Sequence, residues 1–175
     1  MRYIALPRGI NVTGSNMIKM SELKAAFEAL GFENVVTYIN SGNVAFDAKK
    51  STEASLIKKI APAVEKLAGK PISVMIREQK EILRVLKNNP FDGQYESHKE
   101  MHVLFLNEEL TEENKKILTE NVPPPERFSV SGREIYCHLP LGVADSYLGR
   151  GLFERKLKIS VTARNWRTVE KLAVL

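Results

Sequence analysis

Three short stretches hold the residues best suited to chemistry: Arg8-Gly9-Ile10-Asn11-Val12-Thr13-Gly14, Asn40-Ser41-Gly42-Asn43 and Arg164-Asn165-Trp166-Arg167. The first two combine a cation, glycines that let backbone N–H groups approach a ligand closely, and side-chain amides that both donate and accept. Such a set suits a phosphate or another small anion. The third sets two arginines around a tryptophan, and with Arg150, Arg155, Lys156 and Lys158 nearby it could meet a polyanion. Gly9-x-x-x-x-Gly14-Ser15 has the spacing of a phosphate loop but lacks the lysine after its second glycine, so that reading fails. No G-x-G-x-x-G occurs, and nothing supports a dinucleotide site.

Other chemistries find little footing. His98, His102 and His138 are the only histidines. If His98 and His102 are both extended, their Cα atoms lie about 13 Å apart, too far to share one metal ion. The single cysteine, Cys137, sits among strand residues and reads as a small buried apolar group, not a nucleophile. There is no G-x-S-x-G elbow. No metal and no cofactor is expected.

The elements that must position these residues begin with a strand over Tyr3–Leu6, ended by Pro7. Ser21 is a good N-cap for a helix whose apolar face is Leu23, Ala26, Phe27 and Leu30, and Gly31 suits its C-terminus. Val35–Ile39 and Val44–Phe46 read as a hairpin around Asn40–Asn43. Leu56, Ile60, Val64 and Leu67 mark a second helix, and Ile72–Ile76 a fourth strand. The order β-α-β-β-α-β is that of a ferredoxin-like unit in an α+β protein. A connecting helix is expected over Glu78–Asn89. A second, degenerate half follows: a strand at Met101–Leu106, a helix at Glu112–Asn121, and a hairpin of Phe128–Val130 with Glu134–Leu139. Tyr38–Phe46 lines up with Phe128–Tyr136 at a constant offset, as in a duplication. After Leu141–Gly151 the pattern predicts helices over Leu152–Leu157 and Thr162–Leu175, with no clear last strand; Trp166 would be a core anchor, and Arg164, Arg167 and Lys171 a basic stripe. The resulting division is a subdomain over 1–77, a connecting helix and linker over 78–97, and a second subdomain with C-terminal helices over 98–175.

In a βαββαβ sheet the loop leaving strand one and the hairpin joining strands two and three fall at the same end, and the second helix finishes there too. Arg8–Lys19, Asn40–Asn43 and Gly69-Lys70 should therefore share one rim. Arg8, Lys19 and Lys70 would supply charge, and Asn11, Asn16, Ser41 and Asn43 neutral hydrogen-bonding groups, with no carboxylate in the three segments. The ligand site expected is Arg8, Gly9, Asn11, Lys19, Ser41, Gly42 and Asn43, closed by Arg164 and Asn165. Its partner would be an anionic small molecule, phosphorylated, or nucleic acid. Two alternatives stand beside it: an enzyme with its site between the two subdomains, and a protein-interaction module using an exposed strand edge.

The composition fits a globular protein of 175 residues, 43% hydrophobic and 27% charged. The net charge of +5 is uneven: residues 1–77 carry 11 Lys/Arg against 6 Asp/Glu, 78–127 carry 7 against 11, and 128–175 carry 8 against 4. That pattern favours anionic ligands at the ends of the chain. No apolar run reaches the roughly 18 residues of a membrane span, and Met1-Arg2-Tyr3 leads straight into a strand without a signal peptide. A cytoplasmic protein without membrane partners is expected.

Arg8-Gly9-Ile10-Asn11-Val12, Ile18-Lys19-Met20, Gly31-Phe32 and Thr37-Tyr38-Ile39-Asn40-Ser41-Gly42-Asn43-Val44 together resemble the bacterial family catalogued as domain of unknown function 1697. Arg164-Asn165-Trp166-Arg167-Thr168-Val169-Glu170-Lys171-Leu172 resembles that family's C-terminal motif, so the likeness spans the chain. It implies a cytosolic protein with ferredoxin-like subdomains and carries no activity with it.

Overall fold

A computed structural model describes residues 1–12, 14, 17–120, 122–144 and 146–175. Thr13 and Asn16 of the expected rim, and the expected helix end Asn121, lie outside the described residues. The chain divides into two compact units, Met1–Leu83 with Leu172–Leu175, and Arg84–Lys171.

The first unit runs β1 (Arg2–Pro7), α1 (Met20–Ala29), β2 (Glu33–Tyr38), β3 (Asn43–Asp47), α2 (Glu53–Ala68), β4 (Val74–Glu78), and then α3 (Gln79–Lys87), whose last turn falls in the second unit. Its sheet has the order β2-β3-β1-β4 with every neighbour antiparallel, so β1 and β2 run parallel on either side of β3. One face carries Tyr3, Ala5, Val44, Phe46, Val74 and Ile76 against Leu23 and Phe27 of α1 and Leu56, Ile60 and Val64 of α2. Those helical residues recur every three or four positions, which puts them on one side of each helix. Phe32 and Phe46 meet at a tilt with centroids 4.5 Å apart within this core. Helix α2 starts where the Thr52 hydroxyl accepts from Ser55 N–H at 3.2 Å, and ends at Gly69 in a left-handed turn with φ of 72°.

The second unit runs β5 (Met101–Leu106), α4 (Glu112–Glu120), β6 (Arg127–Ser131), β7 (Glu134–His138), α5 (Leu152–Leu157), β8 (Val161–Asn165) and α6 (Trp166–Leu172). Its sheet order, β6-β7-β5-β8, repeats that of the first with every neighbour antiparallel. The chain is thus a two-half ferredoxin-like α+β protein. Leu104, Leu106, Ile135, Cys137, Tyr147 and Phe153 form the second core. Trp166 is buried and meets Tyr95 edge-on at 6.4 Å, which makes it the core anchor expected. No helix among the described residues is long and apolar enough to cross a membrane.

Four local expectations are corrected. Helix α1 begins at Met20 after an extended Lys19 that makes no side-chain cap, so Ser21 lies inside the first turn. The first hairpin turns over Ile39–Gly42, one residue earlier than expected, because Ile39 adopts a left-handed φ of 49° and leaves the strand. The expected helix over Thr162–Leu175 is instead β8 followed by the short α6. Val161 and Thr162 are β-branched and stiff at χ1, and the open edge of β5 offers them a partner. Arg164 is therefore a strand residue, and the basic helical stripe with Arg167 and Lys171 does not form. Finally, the constant offset between the hairpins does not hold. Val44 and Thr37 pair in one unit as Ile135 and Val130 do in the other, but the first turn is two residues longer than Gly132-Arg133, so the two strands match at different offsets.

On β5, His102 stands in register with Cys137 and Asn165, and its Nδ1 is buried without a partner among the described residues. Burial pushes its pKa down to about 4. The unfolded chain binds a proton as pH falls through about 6.5, whereas the folded chain resists until about 4, so stability is full above 6.5 and drains as pH falls. The stability difference between wild type and His102→Gln should shift against wild type by about 3 kcal/mol between pH 7 and pH 4. Urea denaturation across that range checks it, and two parallel stability curves would contradict it.

Candidate functional site

The loop from Arg8 to Lys19 leaves β1 where Pro7 still pairs with Val74, and the Arg8 N–H extends that ladder by donating to Ser73 O at 2.9 Å. Gly9, Asn11 and Gly14 then all take left-handed backbone, with φ of 64°, 55° and 75°. Asn tolerates that region because its short amide bonds locally. Here the bonds are explicit. Asn11 Oδ1 accepts from Ile18 N–H at 2.6 Å, while its Nδ2 donates to Ile18 O and to Asn40 O, both at 2.8 Å. One side chain thereby closes the loop on itself and joins it to the β2–β3 hairpin. Ile10 and Ile18 are buried in the first core, and this explains why an otherwise polar loop holds isoleucines.

Gly42 completes the junction. A Cβ built there would lie 2.0 Å from Ile10 Cδ1, and the residue has φ of 79°. Its N–H is used within the turn, donating to Ile39 O at 3.1 Å. Asn43 is wholly buried and donates through Nδ2 to Tyr38 O and to Ser41 Oγ, each at 3.0 Å. The three expected site residues Asn11, Gly42 and Asn43 are thus occupied in building the rim, and Ser41 is half-buried as an acceptor within it.

What the rim offers to solvent is charge. Arg8 and Gly9 are exposed and share an open hollow with Lys70, Pro71, Ile72 and Ser73, none of them acidic. The expected convergence of the β1 exit with the end of α2 is present in this hollow. Lys19 is also exposed, with its Nζ 4.0 Å from Glu22 on the first turn of α1, a carboxylate that lies just outside the segments read as acid-free. Pro71, Ile72 and Ser73 had no place in the sequence-based site; the signal was the antiparallel pairing that sets Ser73 beside Arg8.

Arg164 and Asn165 belong to the other unit. Arg164 is buried and donates through one terminal nitrogen to Thr162 Oγ1 and Ala163 O, each at 2.8 Å, and burial lowers its pKa to about 10. Asn165 Oδ1 accepts from Thr168 N–H at 2.9 Å at the start of α6. Both side chains have local structural work. Burial pushes the Cys137 thiol well above its ordinary pKa, with Glu126 adding to the effect, so the thiol stays protonated and a poor nucleophile. Among the described residues no group of three His, Cys, Asp or Glu side chains could hold a metal ion. The lining of the hollow includes two cations, Arg8 and Lys70, together with Ser73, and no carboxylate.

Gly42→Ala tests the junction. A methyl group must displace Ile10 and occupy a strained backbone, and the expected loss is about 2–4 kcal/mol in chemical denaturation. An unchanged midpoint would show that the hairpin and the loop are not locked at this point.

The comparisons with known proteins agree with this fold. The family model described as "Protein of unknown function (DUF1697)" matches residues 1–136, a stretch that includes the rim and ends before the Arg164–Leu172 motif. A solved structure, that of the conserved bacterial protein SP0830 from Streptococcus pneumoniae, superposes with a TM-score of 0.78 at 26% sequence identity, covering 98% of this chain and 96% of that one. No curated protein matches the sequence.

Proposed function

The chain belongs to the DUF1697 family of proteins of unknown function, and from that premise we propose that it binds a phosphorylated small molecule in the hollow of Arg8, Gly9 and Lys70. The observation that carries the reading is the meeting of two exposed cations, far apart in sequence, in one hollow without a carboxylate in its lining. Lys19 adds to the field on the same rim, and the excess of Lys/Arg over residues 1–77 points the same way. Gly9 leaves its backbone open to close approach, since no heavy atom lies within 4 Å of a Cβ placed there. A small ligand is favoured over a long polyanion because Arg164, the first cation of the supposed second basic surface, is buried.

Thermal denaturation with pyrophosphate, a nucleoside triphosphate and a single-stranded oligonucleotide tests this. A ligand at a hundred times its Kd adds about 2.7 kcal/mol, a rise on the order of 5 °C for a chain of this size. The small phosphates should give such a rise in wild type and none in Arg8→Ala/Lys70→Ala. An equal rise in the double variant, or none with any probe, would contradict the proposal. A rise with the oligonucleotide alone, falling steeply with added salt, would move the reading to nucleic acid.

A further inference from the structure

Strand β6 is an edge of the second sheet and pairs only with β7. Their turn is tight: Ser131 pairs with Glu134 across Gly132-Arg133, with Gly132 at φ of 57° in the first central position, where a II′ turn places glycine. In an antiparallel ladder that starts from such a turn, alternate residues bond inward. Ser131, Ser129 and Arg127 face β7 with their backbone groups, and Phe128 and Val130 direct theirs away from the sheet. Among the described residues nothing bonds those outward groups.

The first sheet treats its corresponding edge differently. Strand β2 shifts register between Glu33 and Val36, with Asn34 in the left-handed region at φ of 48° and Glu33 exposed. A bulge and a charge are the usual means of spoiling an edge as a template. Strand β6 has no such bulge. Its register is unbroken across all five residues. Its single charge, Arg127, is turned back onto its own unit: Nε and one terminal nitrogen donate to His138 Nδ1 at 3.2 and 2.9 Å, the other terminal nitrogen donates to Gln94 Oε1 at 2.7 Å, and the guanidinium lies 4.7 Å from the centre of the Phe91 ring. The Arg127 guanidinium, though exposed, is engaged by residues of its own unit.

We propose that β6 pairs antiparallel with β6 of a second copy of this chain, joining the two second-unit sheets into one continuous sheet. The sequence of the strand is self-complementary in the register its outward groups require. With the twofold axis at Ser129, Phe128 of each copy exchanges both backbone bonds with Val130 of the other, Arg127 faces Ser131, and no like charges meet. Phe128 and Val130, half-buried in the single chain, would lose further exposure. The interface is a short ribbon, so the association is weak and rises with concentration. This surface is independent of the phosphate hollow in the first unit.

Size-exclusion chromatography with light scattering across a concentration series tests it. Val130→Pro removes one outward N–H and no inward ladder bond, and proline is tolerated at such an edge. Ser129→Lys sets two lysines face to face across the axis. Wild type should dimerise with rising concentration, and both variants should remain monomeric while melting near the wild-type temperature. If Val130→Pro fails to fold, Ser129→Lys decides alone. A wild-type protein that is monomeric at every concentration, or a dimer that survives Ser129→Lys, overturns the proposal.

Discussion

Three hydrogen bonds from one side chain hold the N-terminal rim together. Asn11 ties Ile18 to its own loop and reaches across to Asn40, and directly beside it Ile10 fills the space that Gly42 leaves open. Bonds of this kind are worth about 1 kcal/mol each when made and cost more when a buried partner is left without them. Arg8 is held to the sheet by its own bond to Ser73 O, and the Asn11 junction fixes the described loop residues Asn11 and Ile18 against the hairpin. Together the two sets of bonds tie both described ends of the loop to the sheet. The charged residues can then be exposed because polar and apolar groups beneath them carry the structure.

That division of labour explains which parts of the site were legible in the sequence. Spacing and topology were enough to bring Arg8, Asn40–Asn43 and Lys70 to one end of a βαββαβ sheet, and the strand order β2-β3-β1-β4 does this. Residue type alone could not divide them into exposed cations and buried supports. An asparagine in a polar loop looks the same whether its amide faces solvent or, like that of Asn43, is wholly buried beneath a hairpin. The clue was Ile10: an isoleucine between Gly9 and Asn11 signals that the loop turns inward there, and whatever opposes it must be small. In the second half, β8 reads from the sequence as part of a helix because Thr162, Trp166, Val169 and Ala173 fall on one face at helical spacing. Only the open edge of β5 decides for a strand, and that is a tertiary fact.

The two halves share a strand order but not their hairpins. The second half turns in two residues, while the first spends four, with Ile39 in a left-handed conformation that β-branched residues rarely adopt. Such strain persists where the surroundings overdetermine it. Here they do: the turn is held between the Asn11–Asn40 bond on one side and the Asn43 amide on the other. The longer, strained turn belongs to the half that carries the cationic hollow, whereas the short regular turn belongs to the half with the open β6 edge. One topology, used twice, has been given a loop-built surface in one copy and a strand-built surface in the other.

The most direct measurement of the central claim is a backbone-amide NMR titration with pyrophosphate. Progressive, saturable shifts should concentrate at Arg8, Gly9 and the Lys70–Ser73 segment, with smaller ones at Asn11 and Gly42 behind them. Saturable shifts centred elsewhere, or shifts that grow linearly and spread over all the lysines, would show that the hollow has no specific affinity for phosphate.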